Sequence, residues 1–234
     1  MKVIGKDIGT VLDRLYAEVE SRVTVEAERE LRFEAGAEGS FSNVIWRADG
    51  VVIQLHNGVP NKALPHVVGI ALEHVRQRLE RYPSLQRPAV DEADGPLLRS
   101  ALRELVLAPA ADHALKALTL DVQWEAEQRH QALKDLIRDH AEWDDPAESG
   151  HAFLVLLYAR AAIEHPAELW PALDAAFQEA LPRVTEHGRA VEEAVRRHGW
   201  TSPGACLESL LAARALLDLD ALAPILDRRT GQTL

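Results

Sequence analysis

Apolar residues fall at helical spacing from the start of the chain. Ile8, Val11, Leu12, Leu15, Tyr16 and Val19 stand at i, i+3, i+4, i+7, i+8 and i+11, which predicts a helix over 7–20 with Asp7 as its N-cap. The period then shortens. Val23, Val25, Ala27, Leu31 and Phe33 alternate with polar residues, broken only at Arg29, and predict a half-buried strand over 22–34; the Glu and Arg content leaves a helix open there. Gly36-Ala37-Glu38-Gly39-Ser40 reads as a loop. Two β-rich runs follow, 42–47 and 51–56, joined by Ala48-Asp49-Gly50, and an Asp-Gly pair so placed predicts a hairpin. Asn57-Gly58-Val59-Pro60-Asn61 ends the second strand.

A long helix over 65–81 carries Val67, Val68, Ile70, Ala71, Leu72, Val75 and Leu79, apolar enough to be buried on more than one face, and Pro83 closes it. Residues 85–95, with Pro88, Asp91 and Asp94, read as a linker. Beyond them every pattern is helical. Gly95-Pro96 opens one helix, Pro109 a second and Asp121 caps a third, which Asp144-Asp145-Pro146 ends. Ser149 caps a very apolar helix through Phe153 and Tyr158, the expected centre of a bundle. Pro166, Pro182 and Ser202-Pro203 begin three more, and a short one spans 220–227. No fixed-period repeat occurs, which argues against a solenoid. The expectation is an α+β, predominantly helical chain. An N-terminal helix, a small antiparallel sheet and a long buried helix occupy 1–90, and an all-α bundle occupies 91–234.

The 234 residues are 47% hydrophobic and 27% charged, which excludes a disordered chain. The net charge of -11 lies wholly in the second part: residues 1–90 hold 12 Lys+Arg against 12 Asp+Glu, residues 91–234 hold 14 against 25. That step supports the boundary near 90. The acidic half repels phosphate backbones, so nucleic-acid binding is not expected of it. Arg76, Arg78, Arg81 and Arg87, on and after the long helix, form a local basic cluster that leaves a DNA-associated accessory factor open as a further alternative. A single cysteine, Cys206, excludes an internal disulfide and a multi-cysteine zinc site. It sits in an apolar helical pattern as a small buried hydrophobe. No stretch reaches the ~20 apolar residues of a membrane helix and the N-terminus lacks a signal-peptide core, so a cytoplasmic chain is expected. G-x-x-x-x-G-K-[ST], G-x-G-x-x-G and G-x-S-x-G are all missing, and no cofactor is implied.

The order helix, strand, hairpin, long buried helix resembles the minimal zincin core of SprT-like and minimal metallopeptidases, over residues 7–82. The resemblance rests on Val51-Val52-Ile53-Gln54-Leu55-His56, a Pro-containing turn, then Leu64-Pro65-His66-Val67-Val68. In that family the helix carries H-E-x-x-H: histidines at i and i+4 share a face and bind one zinc, and the glutamate activates the metal-bound water. With His74 in the place of the second histidine, Ile70 stands at the first and Ala71 at the glutamate. The resemblance therefore implies a zinc-peptidase-like core with an erased metal site, hence a non-catalytic binding or regulatory protein. Its peptide cleft would lie between the strand ending at His56 and the helix bearing His74, with His56, His66, Glu73 and His74 as candidate cleft residues. His66 and His74 stand ~12 Å apart along a helix rising 1.5 Å per residue, too far to chelate one ion. A protein or peptide partner follows, and the helical half would supply partner or homodimer contacts.

A rival reading places a metal-dependent enzyme in the bundle. Glu127 and His130 have the E-x-x-H spacing of helical di-iron proteins, but those need a second copy and two more glutamates, and no second copy is present. Asp144, Asp145, Glu142 and Glu148 read as a solvated acidic loop. Trp124, Trp143, Trp170 and Trp200 fall near expected helix ends, where such rings staple helices together. His140, His165 and His198 suit helix C-termini.

Overall fold

The structure is a computed structural model and describes residues 1–37 and 39–234. Glu38, in the expected loop, lies outside the described residues. The chain forms two compact units, 1–80 with 111–125 and 81–110 with 126–234. It is α+β and predominantly helical.

The first unit opens on a tight ladder, where the start of a helix was expected. Strand β1 (Lys2–Val3) pairs antiparallel with β2 (Lys6–Asp7), and Ile4 and Gly5, both at positive φ, make the turn. Asp7 is therefore a strand residue, its carboxylate accepting from Gly9 N–H at 2.9 Å. Helix α1 (Asp13–Ala27) buries Leu15, Val19 and Val23. This corrects the strand expected over 22–34: the 3.6-residue period continues to Val23, and Val25 is 75% exposed. Glu28, in the left-handed region, ends the helix, and β3 (Glu30–Ala35) follows.

The hairpin forms as read, β4 (Ser42–Trp46) antiparallel to β5 (Gly50–Leu55) with Ile45 opposite Val52. The sheet, however, is mixed: its order is β3-β5-β4, and β3 runs parallel to β5 with Phe33 opposite Ile53. Val51, Val52, Ile53 and Leu55 are buried on both sides of β5, which suits only the central position. The connection after β3 crosses the end of that strand, Gly36 and Ala37 donating to Leu55 O at 2.9 and 3.3 Å, and so delivers β4 to the far side. Helix α2 (Leu64–Leu79) packs against β4, β5 and α1. Its Val67, Val68, Ala71, Leu72 and Val75 are buried, as its all-round apolar start predicts. Residues 111–125 complete this unit. A Cβ on Gly69 would come within 3.0 Å of Leu115 Cδ1, so the glycine admits that leucine, and Trp124 packs on Phe41 with centroids 5.1 Å apart.

In the second unit, β6 (Ser84–Leu85) pairs with β7 (Ile225–Asp227), which pairs with β8 (Gln232–Thr233). The expected linker at Leu85, the terminal helix over 220–227 and the all-α description are corrected by this small antiparallel sheet. Ile225 is buried, and Gly231, at positive φ, makes the turn that a helix would not need. Helix α3 (Gly95–Leu115) contributes 95–110 and runs through Pro109 where two helices were expected. Proline forfeits one backbone hydrogen bond there, and the burial of Leu102, Leu105 and Val106 on the preceding turns outweighs it. Helix α4 (Gln123–Asp139) contributes 126–139, and its start is capped by Asp121 as read.

Helix α5 (His151–Glu164) is the apolar centre, flanked by α6 (Trp170–Ala180) and α7 (Pro182–His198). Helix α8 (Pro203–Leu216) starts at Ser202, whose hydroxyl accepts from Ala205 N–H at 3.2 Å. Ser149 does not cap α5; Gly150 holds that position with no side-chain cap. Asp144, read only as a helix breaker, caps α7, its Oδ1 accepting from the N–H groups of Arg183 and Val184 at 2.8 and 3.0 Å. Among the described residues no helix is long and apolar enough to cross a membrane.

Candidate functional site

Strand β4 is a sheet edge, paired only with β5. Its ladder tells which backbone groups are spare. His56 N–H donates to Phe41 O and Arg47 N–H to Gly50 O. Hydrogen-bonded pairs alternate in an antiparallel ladder, so Asn43 and Ile45 also bond β5, while the N–H and C=O of Ser42, Val44 and Trp46 point outward. The Ser40 hydroxyl takes Ser42 O at 3.2 Å. Val44 and Trp46 present their groups along the edge. Their side chains lie on the same face as their cross-strand neighbours Ile53 and Val51, and both pack against the core of this unit.

Ile70, His74, Gln77 and Arg78 recur at i, i+4, i+7 and i+8 and share one face of α2. That face meets the end of β4 at Trp46, where Arg78 Cζ lies 4.3 Å from the ring centroid. Arg29, between α1 and β3, reaches the same ring at 5.8 Å. Edge strand and helix stripe thus flank a common line, with Trp46 and Arg78 at one end.

The four residues singled out from sequence each hold different partners. His56 is exposed at the end of β5, and its Nδ1 accepts from Gly58 N–H at 3.0 Å to close the turn. His74 Nδ1 donates to Gln77 Oε1 at 2.9 Å. Glu73 is buried 2.6 Å from Arg76 Nη2; burial pushes its carboxyl up against the pull of Arg76, with Glu80 and Glu18 adding to the rise, to about 7. His66, in the first turn of α2, is buried with Nδ1 2.5 Å from Glu125 Oε1 and Nε2 3.3 Å from Asp112 Oδ1. Burial lowers its pKa, but the bonds to Asp112 and Glu125 overcome this and raise it to about 9, so the ring is a cation at neutral pH. The two carboxylates sit on opposite ring nitrogens and do not converge on one point. Sequence reasoning missed both; the only signal was a histidine in a buried apolar run, which demands a partner without naming it.

Among the described residues no group of three His, Cys, Asp or Glu side chains is placed to hold a metal ion. At the motif positions, Ile70 is half-buried and Ala71 is fully buried in the core. In the second unit, His130 Nδ1 lies 3.0 Å from His165 Nε2. Burial, then His130 and Arg129, press the His165 pKa to about 4, so the neutral ring accepts from His130. Glu127 and His130 are not joined there by a third ligand. His151 Nδ1 donates to Trp143 O, which leaves its Nε2 to accept from His187 Nδ1, each at 2.9 Å. Of the basic cluster, Arg76 pairs with Glu73, and Arg87 with Asp91 at 3.3 Å. Cys206 is buried and burial pushes its thiol up to about 12, the state of an inert core thiol.

Compared with protein-family models, curated proteins and solved structures, the chain finds no match.

Proposed function

We propose that this chain is a non-catalytic binding protein built on a zincin-like core, which takes an extended peptide as an added strand on β4. The observation that carries the reading is the outward N–H and C=O of Val44 and Trp46, on an edge strand beside the α2 stripe. Strand addition draws affinity from main-chain hydrogen bonds and selectivity from alternate side chains, here those facing α2. The order α1, β3, β4, β5, α2, with β4 at the edge, suits a zincin-like core. The side chains favour a non-catalytic version. A histidine at 74 with isoleucine one turn earlier lacks the second ligand, and Ala71 in the packed core leaves no carboxylate beside a metal-bound water. The rival metal enzyme at Glu127 and His130 has less support, because His130 is engaged with His165.

The test is selection of binders from a displayed random-peptide library against the full chain, with affinities measured for wild type and Val44→Pro. Proline at 44 removes an outward donor and spares the β5 ladder, a substitution that edge strands tolerate. Peptides of alternating pattern should bind wild type and lose roughly tenfold or more in affinity on Val44→Pro, the scale of one lost hydrogen bond. Circular dichroism should stay unchanged. Undiminished binding to Val44→Pro refutes strand addition, and stoichiometric zinc held through His74 refutes the erased site.

A further inference from the structure

The sheet has a second edge, because β3 pairs only with β5. The β4 ladder uses the even-numbered groups of β5, as the bonds from His56 N–H to Phe41 O and from Arg47 N–H to Gly50 O show, so the odd-numbered groups turn to β3. Gly36 N–H, bonded to Leu55 O, fixes the other side: the even-numbered residues of β3 face β5. The N–H and C=O of Leu31, Phe33 and Ala35 therefore point away from the sheet, and among the described residues they make no hydrogen bond. The side chains of Leu31 and Phe33 face α1, the Phe33 and Tyr16 ring centroids standing 5.9 Å apart. Those of Glu30, Arg32 and Glu34 lie on the opposite face. A groove between α1 and β3, lined in part by Ala17, Ser21, Thr24, Val25 and Leu31, runs beside this edge.

An open edge is a template for another strand, and the side chains of 30–35 select which. Only alternate residues offer outward groups, so antiparallel pairing with a second copy places the twofold axis at one residue. Centred on Phe33, it sets Arg32 of each copy opposite Glu34 of the other, and Phe33 opposite Phe33. Leu31 and Ala35 then exchange backbone hydrogen bonds, and Arg32 and Glu34 occupy the position where side chains stand closest. Centred on Arg32 or on Glu34, like charges oppose each other. Centred on Leu31 or on Ala35, Phe33 would need the N–H of Arg29 or of Ala37, already given to Val23 O and Leu55 O. Both charged partners have capacity for the pair. Only Nη2 of Arg32 makes hydrogen bonds, both to Asp49 at 3.1 Å, and Glu30 stands 3.6 Å from its Nε. Among the described residues the half-buried Glu34 side chain has no hydrogen bond or ion pair. Strand β4 is not self-complementary in this way: centred on Val44, Asn43 meets Ile45 and Ser42 meets Trp46. The β3 edge also belongs to the charge-balanced first ninety residues and not to the acidic half.

We propose that two copies of this chain join β3 to β3 antiparallel about Phe33, making one sheet of three strands from each copy, with Arg32 of each paired to Glu34 of the other. The twofold carries both copies of α1 to one face of the joined sheet, where Ala17, Ser21 and Thr24 are small enough for close approach. Val25, 75% exposed in one copy, lies on the same side. Strand β4 remains the outer edge at both ends, so the dimer stands independently of the peptide reading.

Sedimentation equilibrium of the full chain tests it. Wild type should be dimeric at about 100 µM and dissociate further at high salt. Arg32→Glu and Glu34→Arg each set like charges opposite each other twice, and each should raise the dissociation constant roughly tenfold or more with circular dichroism unchanged. The double variant should regain the wild-type constant. An equimolar mixture of the two single variants should form a heterodimer, since every opposed pair is then of opposite sign, and that rescue also shows that both are folded. Val44→Pro should leave the dimer unchanged. A wild-type monomer at that concentration overturns the proposal. So does a dimer indifferent to both charge reversals, which uses another face, and so does a mixture that fails to pair. Open-ended oligomers lost on Val44→Pro overturn it in favour of β3 joining β4.

Discussion

His66 Nδ1 and Glu125 Oε1 stand 2.5 Å apart with both side chains buried, 3% and 4% exposed, although 59 residues separate them in the chain. The pair fastens segment 111–125 to the first turn of α2, and Asp112 from the same segment holds the other ring nitrogen. A cation at a helix N-terminus opposes the helix dipole, so the charge on His66 depends on these carboxylates. The folded-state pKa, about 9, lies above the ordinary 6.5. Its contribution is therefore complete below pH 6.5, while the carboxylates stay ionised, and is lost as pH rises from 6.5 through 9. Urea unfolding should show stability falling across that window by on the order of 3 kcal/mol. In His66→Gln the fall above about pH 7.5 should vanish, leaving only the end of the Glu73 titration near pH 7; a wild-type curve flat over the window would contradict the ion triad.

Glu125→Gln keeps the shape of the side chain and removes its charge, leaving His66 with Asp112 alone. Segment 111–125 should loosen, at a cost of about 3 kcal/mol, the lower end for breaking a buried pair. Lys116 is exposed within that segment. Trypsin should cut after Lys116 sooner in the variant than in wild type, and unchanged cleavage kinetics would show that the segment is held by its apolar contacts instead.

Gly188 lies on α7 against Tyr158, and a Cβ there would sit 2.3 Å from Tyr158 Cδ1. The ring cannot swing aside, because its hydroxyl donates to Asp174 at 2.6 Å and accepts from Arg189 Nε at 3.1 Å. Gly188→Ala should cost about 2–3 kcal/mol through overpacking, read as a lowered thermal midpoint. Gly204→Ala is the control. Its Cβ would meet only the far end of the Arg229 side chain at 3.0 Å, so it should cost far less than Gly188→Ala.

Asp144 reaches α7 from the end of a short 3-10 helix (Ala141–Asp144) about forty positions earlier and takes two N–H groups at its start. Asp144→Ala should destabilise by about 1–2 kcal/mol and Asp144→Asn by a fraction of that, because the amide oxygen still accepts. Equal losses for the two would mean that charge, and not the cap, is what matters.

Cys206, with its thiol raised to about 12 and its Sγ 3.2 Å from Trp200 O, should resist iodoacetamide at pH 8 in the native protein. In urea it should react at the rate of a free thiol. Fast native labelling would place it in an open environment.

Local order was legible from the residues alone. The period at Leu15 and Val19, the Asp49-Gly50 turn, the all-round apolar start of α2 and the caps at Asp121 and Ser202 each depend on neighbours within a few positions. Strict alternation misled at Val25, because a charged helix can imitate a strand over a few residues before its next turn shows. The candidate groove was legible in half. The helix with His74 was recognised, but the arginines around Trp46 were not, because Arg29, Trp46 and Arg78 lie in three separate elements.

By itself, then, the sequence determined most of the helices, the β4–β5 hairpin and the lack of an intact zinc motif, all settled by backbone propensity and side-chain type over short distances. Tertiary structure alone decided that β3 runs parallel to β5, that Leu85 pairs with Ile225, that His66 is charged and that Asp144 caps a helix far along the chain. Each of these joins positions whose meeting depends on how whole elements bury their apolar faces. A buried charge announces in sequence that it needs a partner, and only packing selects which one arrives.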